Sequence, residues 1–183
     1  MVAVEHKSTV ADFTGPQLIV PSLRQREWEA VLCELVALLH HHGSFQDAQL
    51  FLEAVMKREA LGPTTTPFGW ALPHGRMAGV SRLSFAFGRS PIPLLWGEQR
   101  QPKVRLVFLF AVPENDSRSY LELVSALARA SRQKDFERHL LGASNGLEVL
   151  EMLKGIPLRV PPSLTRRQPE LPPATSSPVD FCL

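Results

Sequence analysis

Apolar residues recur with helical spacing in two early segments of the chain. Over residues 23–41 the apolar side chains fall three and four positions apart, which predicts one apolar stripe along an α-helix. Gly43 ends this helix, and a capping-box pattern opens a second helix over about 44–61. A short apolar run at 17–20, stopped by a proline, precedes both helices and predicts a first strand.

After the second helix the pattern changes to short runs of consecutive apolar residues. Four such runs predict strands, at 70–72, 82–88, 92–95 and 103–112. The last run is apolar at every position but one from 104 to 112, which is typical of a central strand with both faces covered by helices. Three further helices are predicted, starting at Ser117 and over about 134–141 and 144–153.

The order of these elements predicts an α/β fold, a three-layer α/β/α sandwich with a central mixed β-sheet. The sheet is expected to be mixed because some strands follow one another without a crossover helix. We expect the domain to span residues 17–156, after a poorly ordered N-terminus at 1–16. Residues 157–183 contain seven of the sixteen prolines and no apolar period, which predicts an extended or disordered tail.

Composition excludes several classes of function. The 183-residue chain has a net charge of +2, which provides no bulk attraction to nucleic acid or to an anionic membrane. No apolar run is long enough to span a bilayer, and residues 1–7 lack the pattern of a signal peptide. The two cysteines and the run from His40 to His42 have no metal-ligand spacing. We therefore expect a cytoplasmic domain without a metal, a cofactor, a nucleic-acid partner or a membrane insertion.

The strongest candidate chemistry follows the strand at 70–72, where the chain continues Pro73, His74, Gly75, Arg76. A histidine delivered by a strand end has a rigid support and remains open to a partner. Gly75 is expected to leave room for a second molecule, and Arg76 adds a fixed positive charge suited to phosphate. These residues predict a nucleophilic or phosphoryl-accepting His74. The alternative is a histidine that only caps a strand end through hydrogen bonds.

Several motifs extend this candidate site in both directions along the chain. They are Arg58 to Gly62, Thr64, Gly69, Ala71 to Arg76, the strand from Val104 to Pro113, Tyr120 with Leu121, and Leu127 with Ala128. With these motifs, the chain from 17 to 156 resembles the enzyme IIA domain of the phosphoenolpyruvate-dependent sugar phosphotransferase system. The resemblance is to the mannitol/fructose type, which includes the nitrogen-regulatory branch.

The resemblance implies a role for each matching residue. His74 would accept a phosphoryl group from the histidine phosphocarrier protein and pass it to a IIB domain or use it for regulation. Arg58, Thr64 and Arg76 would surround the phosphohistidine. A neutral imidazole suits this chemistry because it is a good nucleophile near pH 7 and forms a labile bond to phosphorus. The resemblance implies no metal and no cofactor.

The chain departs from the family pattern at two places. Members of the family commonly carry a second histidine at the position of Tyr120, which should therefore lie within side-chain reach of His74. A phenol can still donate a hydrogen bond to a phosphoryl oxygen. Pro63 and Pro67 stiffen a loop that the family keeps flexible. These departures keep open an alternative function, a IIA-like regulatory protein-binding module that has lost phosphotransfer.

Overall fold

A long apolar strand, β5 (Lys103–Pro113), lies at the centre of the sheet in the computed structural model, which describes residues 8–97, 103–133 and 135–159. On one side β5 pairs in antiparallel orientation with β4 (Ser84–Leu95). On the other side it pairs in parallel with β2 (Trp70–Ala71) and β3 (His74–Met77), which lie end to end along one edge. β1 (Ile19–Val20) pairs in parallel with β4. The sheet is therefore mixed, as predicted.

Helices cover both faces of this sheet. One face carries α1 (Trp28–His41) and α2 (Ala48–Ala60), and the other carries α3 (Ser117–Ala130), α4 (Phe136–Gly142) and α5 (Gly146–Lys154). Alternate residues of β5 belong to the two cores: Val107, Leu109 and Ala111 face α1 and α2, whereas Leu106, Phe108, Phe110 and Val112 face the other helices. A strand buried on both faces requires apolar side chains at nearly every position. The predicted three-layer α/β/α sandwich is confirmed.

The two strands predicted at 82–88 and 92–95 form one strand, β4. Its register with β5 shifts between Arg89 and Leu94. Two prolines, Pro91 and Pro93, lie inside this shift. Because proline has no backbone N–H to donate to a neighbouring strand, the ladder is interrupted there without ending the strand.

Both early helices begin later than predicted. The first begins at Trp28 rather than near residue 23, because the backbone N–H of Leu23 donates to the Arg89 carbonyl of β4 at 2.8 Å. The second begins at Ala48, with Asp47 as its N-cap, and the Asp47 carboxylate accepts from the N–H of Leu50 at 2.8 Å. In the first helix a contact with β4 takes the place of the predicted first turn. In the second helix the N-cap at Asp47 sets the start.

The expectation of a poorly ordered N-terminus is wrong for residues 8–16. A 3₁₀ helix spans Val10–Phe13, and Val10 is fully buried against the core that includes α3 and α5. The N–H of Val10 donates to the Ile156 carbonyl at 3.0 Å, and that of Leu158 donates to the Ser8 carbonyl at 2.9 Å. The two ends of the domain therefore hold each other, and this pairing includes Pro157 and Leu158. Residues 1–7 and 160–183 of these predictions lie outside the described residues.

Over residues 8–97, 103–133 and 135–159, no helix combines the length and the apolar character that crossing a bilayer requires.

Gly75 lies where β3 packs against α2, and the expectation that it leaves room for a second molecule is wrong. The residue is buried, and a Cβ atom added to it would lie 2.6 Å from Cε2 of Phe51 and 3.0 Å from Cγ2 of Val55. A glycine is needed here because the helix comes closer to the strand than any side chain permits. The space is occupied by the protein itself.

We predict that Gly75→Ala lowers the free energy of unfolding by about 1–3 kcal/mol, because the added methyl group forces Phe51 and Val55 away from the strand. Urea denaturation monitored by circular dichroism measures the change. Gly142→Ala is the matched control, since a Cβ there meets nothing within 4 Å and alanine is the better helix former. Equal stability of Gly75→Ala and the wild type would contradict the packing described.

Candidate functional site

His74 is the first residue of β3 rather than a residue beyond a strand end. Leu72 and Pro73 separate β2 from β3, yet the chain stays beside β5 because the Pro73 carbonyl accepts from the N–H of Phe110 at 2.9 Å. Side chains alternate along a strand, so His74 and Arg76 lie on the α3 face while Gly75 faces α2. The imidazole and the guanidinium therefore share one face of an edge strand.

Tyr120 lies next to His74, which confirms the predicted proximity of these two residues. Its phenol oxygen is 3.0 Å from Nδ1 of His74, and the two rings are 5.0 Å apart between centroids. The other side of the phenol ring packs edge-on against Phe110 at 5.5 Å. Asp116, the N-cap of α3, accepts from the N–H of Ser119 at 3.3 Å and fixes where this helix starts. Tyr120 thus occupies the position beside the histidine.

The contacts of His74 distinguish its two ring nitrogens. Nδ1 lies 3.0 Å from the Tyr120 hydroxyl and 3.5 Å from the Leu72 carbonyl oxygen. A carbonyl can only accept, so it favours the tautomer in which Nδ1 carries the hydrogen. In that tautomer Nε2 has the free lone pair. The arrangement therefore favours Nε2 as the nucleophilic atom.

Burial and charge both act on the protonation of this pair. Burial lowers the pKa of His74 below 6.5; the Leu72 carbonyl and Glu59 act in the opposite direction, and Arg58 and Arg76 lower it further. Burial is also the main cause that raises the pKa of Tyr120 to about 12. Near pH 7 the imidazole is therefore neutral and the phenol keeps its hydrogen.

A cleft of about 470 Å³ opens beside His74 at the edge of the sheet. Because β3 is an edge strand, helices from both layers reach the cleft. It is lined by Ala54 and Arg58 of α2, by His74 and Arg76 of β3, by Val112 of β5, and by Ser117, Tyr120 and Leu121 of α3. Two guanidinium groups and one neutral imidazole thus face one space that can hold an anion.

Both arginines have hydrogen bonds that hold them at the cleft. Nη1 of Arg58 donates to the Gly62 carbonyl at 3.1 Å, which keeps the side chain along the C-terminal turn of α2. Nη1 of Arg76 donates to Oγ of Ser117 at 2.8 Å. A guanidinium has five N–H groups, so each arginine retains donors for a ligand.

Thr64 does not line the cleft. Its hydroxyl donates to Oε2 of Glu59 at 2.8 Å, and its backbone N–H donates to Oε1 at 2.8 Å. Nε1 of Trp96 donates to the same Oε1 at 2.7 Å. Glu59 is only 3% exposed, so its carboxylate is buried although it lies near the end of α2. A buried carboxylate needs such donors, and these three connect α2 to the following loop and to the end of β4.

The same loop is attached to the strand that carries the histidine. The Thr64 carbonyl accepts from the N–H of Leu72 at 3.0 Å, and the carbonyl of Leu72 contacts Nδ1 of His74. The Thr66 hydroxyl accepts from the N–H of Trp70 at 3.1 Å. Thr64 is therefore connected to His74 through the backbone of Leu72 and does not itself line the cleft.

Sequence reasoning did not assign Ser117 to the site, and it named Leu121 only as part of a motif that matches the family. Ser117, Tyr120 and Leu121 are related by three and four positions, which places them on one face of α3. This spacing was the signal that could have found them once Tyr120 had been assigned to the site.

Among the residues that the structure describes, no three His, Cys, Asp or Glu side chains are grouped so as to hold a metal ion. In the run of histidines, Nε2 of His40 lies 3.0 Å from the Gln46 carbonyl, and Nδ1 of His42 lies 3.4 Å from Nε2 of Gln17. These histidines make contacts around the end of α1.

Comparison with known proteins gives the same family from sequence and from structure. The family model described as "Phosphoenolpyruvate-dependent sugar phosphotransferase system, EIIA 2" matches residues 12–156. A nitrogen regulatory protein of Bradyrhizobium diazoefficiens is 26% identical over 144 residues, which are 79% of this chain and 94% of that protein. A 2-O-alpha-mannosyl-D-glycerate-specific EIIABC component of Escherichia coli is 32% identical over 78% of this chain, but the match covers only 20% of that protein.

Two solved structures show the same architecture. The crystal structure of nitrogen regulatory protein IIA-Ntr from Neisseria meningitidis superposes with a TM-score of 0.71 at 31% identity, over 79% of this chain and 98% of that one. The enzyme IIA of mannitol from Escherichia coli, solved in complex with phosphorylated IIB, shares the fold with a TM-score of 0.67 at 23% identity, over 77% and 96% of the two chains. The resemblance found in the sequence is confirmed: this chain belongs to the enzyme IIA type 2 family of the phosphoenolpyruvate-dependent sugar phosphotransferase system.

Proposed function

We propose that this chain is a histidine phosphocarrier that receives a phosphoryl group on Nε2 of His74. One observation carries the proposal: Tyr120 and Leu72 occupy Nδ1 of His74, while the imidazole lines a cleft that also contains Arg58 and Arg76. The ring is therefore oriented, neutral and placed beside two positive charges. The functional unit in this proposal is the enzyme IIA-type domain, which includes the residues 12–156 that match the family.

The proposed reaction is a transfer between two histidines. The Nε2 lone pair of His74 attacks the phosphorus atom of the phosphorylated histidine phosphocarrier protein. A nitrogen–phosphorus bond forms on His74 as the donor's nitrogen–phosphorus bond breaks, and that bonding pair returns to the donor imidazole. The hydrogen on Nδ1 stays in place and is held by Tyr120 and Leu72 throughout. Passage to the next protein is the same step in reverse.

Charge stabilisation during transfer is assigned to the arginines. Arg58 and Arg76 each retain N–H donors that can reach equatorial phosphoryl oxygens. The phenol of Tyr120 stays uncharged below its pKa of about 12, so it orients the imidazole without adding charge. Thr64 is assigned a supporting role, because its hydroxyl and N–H are committed to Glu59.

The partners follow from the relatives. The mannitol enzyme IIA that shares this fold was solved with phosphorylated IIB, which supports a IIB domain as the acceptor. The relatives named nitrogen regulatory proteins support the other destination, a regulatory target protein. The related multiphosphoryl transfer protein of Escherichia coli supports a donor from the phosphocarrier pathway. A pathway that starts from phosphoenolpyruvate implies a cytoplasmic location.

Phosphorylation is tested directly by intact-mass measurement. We expect the protein to gain one phosphoryl group when incubated with phosphoenolpyruvate, enzyme I and the histidine phosphocarrier protein, because His74 offers a neutral, oriented imidazole. His74→Ala should gain none. His139→Ala removes an exposed histidine on α4 and is the matched control that should still be labelled. An unlabelled, folded wild type beside a labelled reference IIA would favour the binding module that has lost transfer.

The role of Tyr120 is tested by Tyr120→Phe, which keeps the ring packed on Phe110 and removes the hydroxyl from Nδ1. We expect the rate of phosphoryl uptake to fall about fivefold, because one lost hydrogen bond is worth about 1 kcal/mol of activation free energy. Tyr120→His, which restores a hydrogen-bonding ring, should recover most of the rate. Rapid-quench kinetics measures all three proteins, and a phenylalanine variant as fast as the wild type would contradict the assigned role.

The pH dependence follows from the lowered pKa of His74. Only the neutral imidazole has the Nε2 lone pair, so we expect half-protonation below pH 6.5 and a fully neutral ring near pH 8. NMR titration of the His74 ring measures this midpoint. Arg58→Gln should raise the midpoint, because Arg58 lowers this pKa. A wild-type midpoint above 6.5, or one that does not respond to the removal of Arg58, would contradict the described environment.

A further inference from the structure

Ser117 is the first residue of α3, and it lines the same cleft as His74. Its Oγ accepts a hydrogen bond from Nη1 of Arg76 at 2.8 Å. Arg76 is exposed, and a long exposed side chain loses considerable rotamer freedom when it is held in one direction. When Ser117 already holds the guanidinium, Arg76 has less rotamer entropy to lose on binding a ligand.

The contacts between β3 and α3 come as a matched pair. His74 and Arg76 are two residues apart on one face of β3, which separates their Cα atoms by about 7 Å. Ser117 and Tyr120 are one turn apart on one face of α3. Tyr120 contacts His74 and Ser117 contacts Arg76, so each helix hydroxyl holds one functional group of the strand. The contact between Ser117 and Arg76 therefore depends on the same packing of α3 against β3 as the contact between Tyr120 and His74.

We propose that Ser117 is a positioning residue that aims the Arg76 guanidinium at the phosphoryl group carried by His74. This inference rests on the proposed function. One N–H of the guanidinium is used by Ser117, and the others remain for phosphoryl oxygens. A hydroxyl is suited to this task because it orients the arginine without cancelling its positive charge. A carboxylate in the same place would orient Arg76 and also neutralise it.

Ser117 has no necessary role in starting α3. Asp116 is the N-cap, and its carboxylate accepts from the N–H of Ser119. Ser117 occupies the first helical position, where alanine is a good helix former. Ser117→Ala should therefore fold as the wild type does, and a change in transfer can be assigned to the lost contact with Arg76.

The first experiment is single-turnover phosphoryl transfer from the phosphorylated histidine phosphocarrier protein. We expect Ser117→Ala to slow transfer about tenfold, the size of one hydrogen bond to a charged group, and Ser117→Thr to restore the rate to within about twofold. Ser131→Ala is the matched control, because it removes a serine hydroxyl that follows the last turn of the same helix and donates to the Ala128 carbonyl. A Ser117→Ala rate equal to that of the wild type would overturn the proposal.

A double-mutant cycle shows whether Ser117 acts through Arg76. In an Arg76→Gln background we expect Ser117→Ala to cause no further loss, since the group that it positions is gone. A further tenfold loss in that background would overturn the positioning role, because Ser117 would then act independently of Arg76.

The second experiment separates this inference from the proposed function. Inorganic phosphate is titrated into each protein while the His74 ring signals are followed by NMR, and no phosphoryl transfer is needed. We expect Ser117→Ala to weaken phosphate affinity about fivefold or more, and Ser117→Thr to restore it. A wild type that binds phosphate but takes no phosphoryl group would overturn the proposed function alone. Equal phosphate affinity of Ser117→Ala and the wild type would overturn the role of Ser117 alone.

Discussion

The register between β3 and β5 is the constraint on which the site depends. His74 pairs with Phe110 and Arg76 with Val112, so both side chains face α3 while Gly75 faces α2. A slip of one residue would turn the imidazole and the guanidinium toward α2 and leave Gly75 facing the cleft. The close approach of Phe51 to Gly75 excludes that slip, because no side chain larger than a hydrogen fits there. The packing of Gly75 against α2 thus sets the register that places His74 and Arg76 on the opposite face of β3.

The buried carboxylate of Glu59 in α2 stabilises the loop that leads to the strand carrying His74. Glu59 accepts three hydrogen bonds, from both donors of Thr64 and from Trp96, and thereby fastens the loop after α2. The Thr64 carbonyl in turn accepts from Leu72, whose own carbonyl contacts His74. Pro63 and Pro67 stiffen the same loop, because each proline ring restricts the backbone. Their presence is consistent with this structural role and requires no direct part in the chemistry.

Where the family resemblance implies a second imidazole, this site has the phenol of Tyr120, and the two groups differ in how they carry charge. A histidine can become cationic near neutral pH, whereas this phenol stays neutral below a pKa of about 12. Positive charge at the cleft is therefore carried by the guanidinium groups of Arg58 and Arg76. The Tyr120 hydroxyl lies within hydrogen-bond distance of Nδ1 of His74, so a neutral group contacts the imidazole on that side.

The sequence by itself determined the layers, the family, and the proximity of Tyr120 to His74. The apolar run of β5 predicted a strand buried on both faces. The motif around His74 and its spacing to Arg58 indicated the family. Only the tertiary structure decided that Gly75 packs on α2, that Glu59 is buried, that residues 8–10 pair with 156–158, and that Ser117 holds Arg76. Local patterns report which face of an element is apolar. They cannot report which side chains meet across 41 positions of the chain, as Arg76 and Ser117 do, because the register and the packing of separate elements decide that contact.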